Sequence, residues 1–283
     1  MLLLLLLLAD VPPEGPPPAS DAETIVLLGG TMVERAQEYG AWEAAIRLAR
    51  PDQPVRVRNL AWSGDTVWAE SRGRFDKPDA GYKRLIDEVT ALQPDVLVFG
   101  YGTAELLDDI PVERFAAQLR TLVADLPAAR RYFVTPSAQP AERHQRLAAY
   151  RGALTSVADE LDATLIDVSD VPVDASTSDD GLHWNAAGYA RSATALMAAF
   201  GTERTLPTDL QQQLQTAIRE KNRLVFHRHR PQNTTYLFLF RKHEQGQNAG
   251  EVPQFEASIE RAEAALDARV KQLAGQLAPA AGD

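Results

Sequence analysis

The 283-residue sequence contains no cysteine, so disulfides, thiolate nucleophiles and zinc–thiolate centres are excluded from the outset. It also lacks an excess of positive charge. Its 29 Lys and Arg stand against 39 Asp and Glu, a formal net charge of −10. A general nucleic-acid binder needs a positive face to neutralise phosphates, so no nucleic-acid partner is expected. No later segment reads as a bilayer span, which takes roughly 20 apolar residues. The run Leu2–Leu8 holds seven leucines, too few to cross but matching the apolar core of a secretory signal. Ala9 is a small residue suited to cleavage, although the basic flank that usually precedes such a core is missing. Export, to the periplasm or beyond the cell, is the expectation this run raises. The absence of cysteine does not choose between compartments.

Hydrophobic residues at 45% and charged residues at 24% are ordinary for a globular chain able to bury a sizeable core. The spacing divides the sequence into three parts. Residues 1–20 form the signal-like leader and a Pro-rich spacer that should not fold. Residues 21–203 alternate short apolar runs with helical patterns. Strands are predicted at Thr24–Leu28, Val55–Leu60, Asp95–Tyr101, Arg131–Thr135 and Thr164–Val168. Helices are predicted at Ala36–Arg50, Lys83–Leu92, Phe115–Leu126, Arg143–Leu161 and Asn185–Phe200. Solid apolar strands separated by helices imply an α/β fold, a three-layer sandwich around a five-stranded parallel sheet. Ligands of such sheets bind beyond the carboxyl ends of the strands.

Residues 204–283 read as a largely helical extension, with a polar helix at Asp209–Arg223 and a loop-like stretch at Gln245–Gln254. Phe255, Ile259, Ala262, Leu266, Val270, Leu273 and Leu277 fall on one helix stripe. That stripe either packs on the chain's own core or pairs with a second copy, a homo-oligomer through the C-terminal helix; both readings stay open. Between these helices, Phe226–His243 mixes basic and aromatic residues without any nucleic-acid motif. His227 and His229 would share a face only on a strand, and no carboxylate at fixed spacing completes a set, so no metal is expected.

The chemistry-bearing stretch is Ser178-Asp-Asp180-Gly-Leu-His183-Trp-Asn185. An Asp three residues before a His, in a loop opening a helix, holds the imidazole in one tautomer and stabilises its cation. Asp180-x-x-His183, after the fifth strand, resembles the last motif block of the SGNH (GDSL-type) hydrolase family, whose fold is a flavodoxin-like three-layer sandwich. Gly29-Gly30-Thr31 stands where that family carries Gly-Asp-Ser. Gly64 matches its second block, and Gly102-Thr103-Ala104-Glu105 its third. The four blocks span about residues 24–200. The resemblance implies an ester hydrolase with a catalytic set of Thr31, Asp180 and His183, needing no cofactor. It also implies an oxyanion hole made by the amides of Thr31 and Gly64. Ser63, Gly102 and Glu105 would line the substrate; Ser63 also reads as a turn-forming serine beside Gly64, and Glu105 either sits at the mouth of the site or caps the segment that follows it. The expected partner is a small-molecule or carbohydrate ester, such as an acetylated sugar.

This sequence departs from the pattern in three places. Thr31 replaces the serine nucleophile, and its extra methyl crowds attack and restricts χ1. Gly30 replaces the motif Asp. Ala104 replaces the Asn that donates to the oxyanion, a loss typically worth about 10²–10³ in rate. These departures support a rival reading, a catalytically impaired relative that binds a carbohydrate or ester ligand. The basic-aromatic stretch resembles a tail in one bacterial branch of SGNH-like proteins that also shows Gly-Gly-Thr in the first block. The tail is expected to fold back over the sheet edge and line the substrate cleft. Trp62, Trp68 and Trp184 flank the blocks, where aromatic faces can stack on sugars or pack in the core.

Overall fold

Each strand feeds side chains to two opposite faces, and the apolar runs divide accordingly. The computed structural model describes residues 21–127, 129–137 and 143–277; the leader and spacer at residues 1–20 lie outside them. Strands β1 (Glu23–Gly29), β2 (Val55–Asn59), β3 (Val96–Gly100), β4 (Arg130–Val134) and β5 (Thr164–Ile166) form one sheet of order β2-β1-β3-β4-β5. Every pairing is parallel, with Ile25 opposite both Val57 and Val96. Ile25, Leu27, Val96 and Val98 enter one core, while Val26, Leu28, Leu97 and Phe99 enter the other. The first core is closed by helices α1 (Thr31–Tyr39) and α2 (Ala41–Leu48). The second is closed by α3 (Pro78–Leu92), with the short α4 (Thr103–Leu107) beside it, by α5 (Val112–Asp125) and by α6 (His144–Glu160). Helix α7 (Ala186–Ala199) returns to the first face, where Tyr189, Ala193 and Leu196 are buried. The three-layer α/β sandwich expected from the alternation is the fold observed.

The single helix predicted over Ala36–Arg50 is instead two. Gly40 sits between them with φ +71°, a left-handed conformation that ends α1 and redirects the chain into α2. A Cβ there would also meet the Gln215 carbonyl at 3.0 Å, so the same glycine admits the first helix of the extension. That helix, α8 (Thr208–His229), runs six residues beyond its predicted end and carries both His227 and His229. Residues two apart on a helix do not face each other, so the shared-face reading of these histidines falls away. Short turns α9 (Thr234–Leu237) and α10 (Lys242–Gln245) and 3-10 turns over Gly246–Gln254 lead into α11 (Phe255–Leu277).

The extension covers the free edge of the sheet. An edge strand exposes unpaired backbone groups that invite aggregation. Here Glu263 on α11 accepts the Val57 N–H at 3.1 Å, Asp267 accepts the Val55 N–H at 3.4 Å, and Lys221 on α8 donates to the Val57 carbonyl at 3.1 Å. Glu263 also holds Arg58 at 2.7 Å, and Lys221 holds Glu43 at 2.8 Å; all four side chains are buried. Burial lowers the Lys221 pKa, and Glu43 beside it pulls the other way. Leu214, Ile218, Leu266, Val270 and Leu273 close a third core against Ala44 and Leu48. Ile259, Leu266, Val270 and Leu273 of the C-terminal helix's apolar stripe therefore pack within the chain, the first of the two readings of that stripe. Among the described residues no helix is long and apolar enough to cross a membrane.

Candidate active site

The loops that follow β1, β2, β3 and β5 meet at one edge of the sheet, as parallel strands require. Thr31 opens α1 immediately after β1 and the Gly29-Gly30 turn. Its Oγ1 accepts the Gly64 N–H at 2.9 Å, which ties Thr31 to the loop after β2. Gly30 makes this approach possible: a Cβ there would stand 2.9 Å from the Asp65 carbonyl oxygen. The Gly in place of the family's Asp is thus a steric requirement of this loop packing.

Asp180 and His183 pair within one tight turn. Asp180 Oδ2 faces His183 Nδ1 at 2.8 Å. Asp180 Oδ1 accepts the N–H groups of His183 at 2.7 Å and Leu182 at 2.9 Å. The His183 backbone N–H and imidazole, then the Leu182 N–H, hold the Asp180 carboxyl well below the usual carboxylate range, so it stays ionised. The turn is anchored behind by Trp184, which is buried, donates to the Pro172 carbonyl at 3.1 Å and meets Tyr189 edge-on. Asn185 then caps α7 by accepting the Ala187 N–H at 3.0 Å.

Thr31 and His183 line one cleft of about 260 Å³, together with Gly64, Thr103, Ala104, Ser137 and Leu182. Among the described residues no hydrogen bond joins Thr31 to His183; the hydroxyl oxygen receives Gly64 instead. Ala104 puts a methyl where a side-chain donor would otherwise reach the cleft. The arrangement has a hydroxyl, an oriented imidazole and a backbone donor at one wall. No cluster of His, Asp or Glu able to hold a metal occurs among the described residues.

Three residues expected against substrate stand elsewhere. Glu105 is wholly buried, not at the mouth. Its two oxygens accept the Val67 N–H and the Gly102 N–H, each at 2.8 Å, so it braces the loop after β2 to the loop after β3. Burial pushes its pKa up to about 7, against the pull of those backbone donors. Gly102 contributes its left-handed backbone, φ +109°, and its N–H to this brace, and it does not line the cleft. Ser63 turns to the Glu34 carboxylate and likewise lies off the cleft. Among the described residues the extension, also expected there, supplies none of the cleft's lining; it lines neighbouring grooves around Trp62. Of the flanking tryptophans, Trp184 is core, while Trp62 and Trp68 are half-buried beneath arginine side chains.

A second brace was not foreseen. Asp65, buried beside Gly64, accepts from Arg72 Nε at 2.7 Å, and Arg72 Nη2 donates to the Leu60 carbonyl at 2.6 Å. Asp65 and Arg72 are seven residues apart in a loop of irregular backbone, where no periodicity announces a pairing.

The model of the GDSL-like lipase/acylhydrolase family matches residues 21–191. No curated protein matches the chain. Among solved structures, that of TesA aligns with a TM-score of 0.51 at 18% identity, covering 63% of this chain and 98% of its own. A lipolytic protein of the G-D-S-L family from Veillonella parvula aligns with a TM-score of 0.50 at 15% identity, over 63% of this chain and 98% of its own. At these identities the structural likeness speaks to the fold, and the family match, which spans well over half of the sequence, speaks to membership. With four motif loops meeting at one sheet edge and that match in agreement, the chain belongs to the GDSL-like lipase/acylhydrolase family, a family of ester hydrolases.

Proposed function

We propose that the protein hydrolyses a carboxylic ester through Thr31, His183 and Asp180. The observation that carries this reading is the shared cleft. A hydroxyl, an imidazole already oriented by an ionised carboxylate, and a backbone donor aimed at that hydroxyl line one concavity. His183 Nε2 takes the proton of Thr31 as Oγ1 attacks the ester carbonyl. Negative charge gathers on the carbonyl oxygen, where the Thr31 and Gly64 amides stabilise it. The imidazolium then returns the proton to the departing alcohol, leaving an acyl-threonine. Water, deprotonated by His183, adds to that acyl group and releases the acid and free Thr31. The cleft's small volume suits a short acyl group such as acetyl, and an acetylated carbohydrate is the substrate class proposed.

A second reading rests on two specific residues. Ala104 leaves the oxyanion one donor short, and the Thr31 methyl crowds attack, as expected of a protein that binds an ester or sugar without turnover. An activated acetyl ester separates the two. Hydrolysis should fall by about 10³-fold or more in Thr31→Ala and His183→Ala. It should rise toward 10²-fold in Ala104→Asn, which restores a donor. Equal initial rates in wild type, Thr31→Ala and His183→Ala would establish the binding reading instead.

A further inference from the structure

Beside the cleft, on the far side of the Trp62–Gly64 loop, three guanidinium groups gather around one indole. Arg230 lies 3.9 Å over the Trp62 ring, Arg72 5.6 Å and Arg74 5.8 Å. Arg72 is satisfied by Asp65, and Arg230 by Glu34. Arg84 is satisfied by Asp76 and by the carbonyls of Arg72 at 2.8 Å and Gly73 at 2.9 Å. Arg74 is different: among the described residues it forms no hydrogen bond and no ion pair, and its only interaction with a ring is Trp62. It is held there by a left-handed backbone, φ +57°, a conformation that a non-glycine residue adopts at a cost.

The space around it is open. One groove of about 360 Å³ is lined by three arginines, Arg72, Arg74 and Arg84, by Trp62 and His229, and by two carboxylates, Asp87 and Glu88. A second, of about 370 Å³, is lined by Trp62, Arg74, Phe75 and Arg230 among others. Trp62 and Arg74 form the wall common to both. His229, with its side chain nine-tenths buried, gives Nδ1 to Glu88 at 2.9 Å and has no hydrogen-bond partner for its buried Nε2 among the described residues. On the rim, Phe75 and Phe240 are 72% and 67% exposed and meet edge-on at 5.6 Å, apolar surface that a sugar ring face can cover. Burial and the neighbouring Arg84, Arg230 and Arg72 lower the pKa of Arg74, and the carboxylate of Glu88 pulls the other way without forming an ion pair with it.

We propose that this groove is an anion subsite in which Arg74 receives an oxyanion, a carboxylate or sulfate, carried by the body of the acylated substrate. A planar guanidinium with free donors matches such a group with two parallel hydrogen bonds. The subsite is joined to the catalytic cleft by short covalent and hydrogen-bonded paths. Trp62 is two residues from Gly64, which contacts Thr31. Glu34, one turn along α1 from Thr31, bonds both Ser63 and Arg230. The inference rests on the ester-hydrolase reading for the substrate's identity, but the subsite itself can be tested without turnover.

Two measurements keep those separate. Calorimetric titration of the full chain with glucuronate, glucose 6-sulfate and neutral glucose reads the subsite alone. At least one of the two anions should bind tenfold or more tightly than glucose, and the preference should vanish in Arg74→Gln and shrink in Arg74→Lys. Whichever anion wins identifies the group recognised. Acetylated forms of the same sugars then read catalysis, with Arg74→Gln raising KM for the anionic ester and leaving kcat, and the neutral ester, unchanged. Equal binding of glucose and both anions by wild type, or retention of the preference in Arg74→Gln, overturns the subsite. Anion binding without hydrolysis of any ester upholds the subsite and overturns the ester-hydrolase reading alone.

Discussion

Gly30 shows how a single missing Cβ shapes the candidate site. In the related motif this position holds an Asp, yet here the Asp65 carbonyl lies 2.9 Å from where any Cβ would be. The loop bearing Gly64 reaches Thr31 through that gap. Restoring the motif with Gly30→Asp should therefore harm the protein. We expect a loss of about 1–3 kcal/mol from overpacking, read by thermal unfolding, with a lower rate of ester hydrolysis as Gly64 is displaced. Unchanged stability and rate would show that the loop can move aside at little cost. Asp180 behaves differently, since its four donors, from Ser178, Leu182 and His183, lie within its own turn and need no distant partner.

At the scale of elements, α11 and β2 form the most demanding contact. The carboxylate of Glu263 faces Arg58 and Arg47 together with the Val57 N–H, all in a buried seam. Removing it with Glu263→Ala leaves Arg47 to Glu43 and Asp267 and Arg58 to Glu256, but orphans the buried Val57 N–H, and should cost about 1–3 kcal/mol in a denaturant titration. Glu260 on the same helix pairs with Arg56 in a partly exposed setting, and Glu260→Ala should cost about 1 kcal/mol or less. Similar losses from the two variants would mean that α11 is held by its apolar stripe alone. The stripe was legible in the sequence because three- and four-residue spacing reports a helix face. Its target was not, since the residues completing the seam lie some 200 positions away on α2 and β2.

For the whole molecule, the buried Glu105 links pH to stability. Its folded pKa of about 7 lies above the ordinary carboxylate value of 4.5. The folded state thus holds a proton that the unfolded chain has released. Glu105's contribution is fully present below about pH 4.5 and is lost as pH rises toward 7. Thermal unfolding followed across that window should show wild-type stability declining relative to Glu105→Gln, whose amide does not ionise. Parallel profiles for the two proteins would place the titration elsewhere. Because Glu105 braces the loops after β2 and β3, the same variant should also loosen the cleft, raising KM more than a surface substitution does.

The sequence by itself determined the alternation of strands and helices, the edge of the sheet where chemistry gathers, and the local pair Asp180 and His183. These follow from short-range pattern: apolar period, turn residues and a carboxylate three positions from an imidazole. Only the tertiary structure decided that Glu105 is an internal brace, that Ser63 serves Glu34, and that the extension seals the β2 edge without entering the cleft. It also decided that Arg74 stands unpaired over Trp62. Each of these depends on which distant segment supplies the partner, and loop packing carries no period from which that partner can be read.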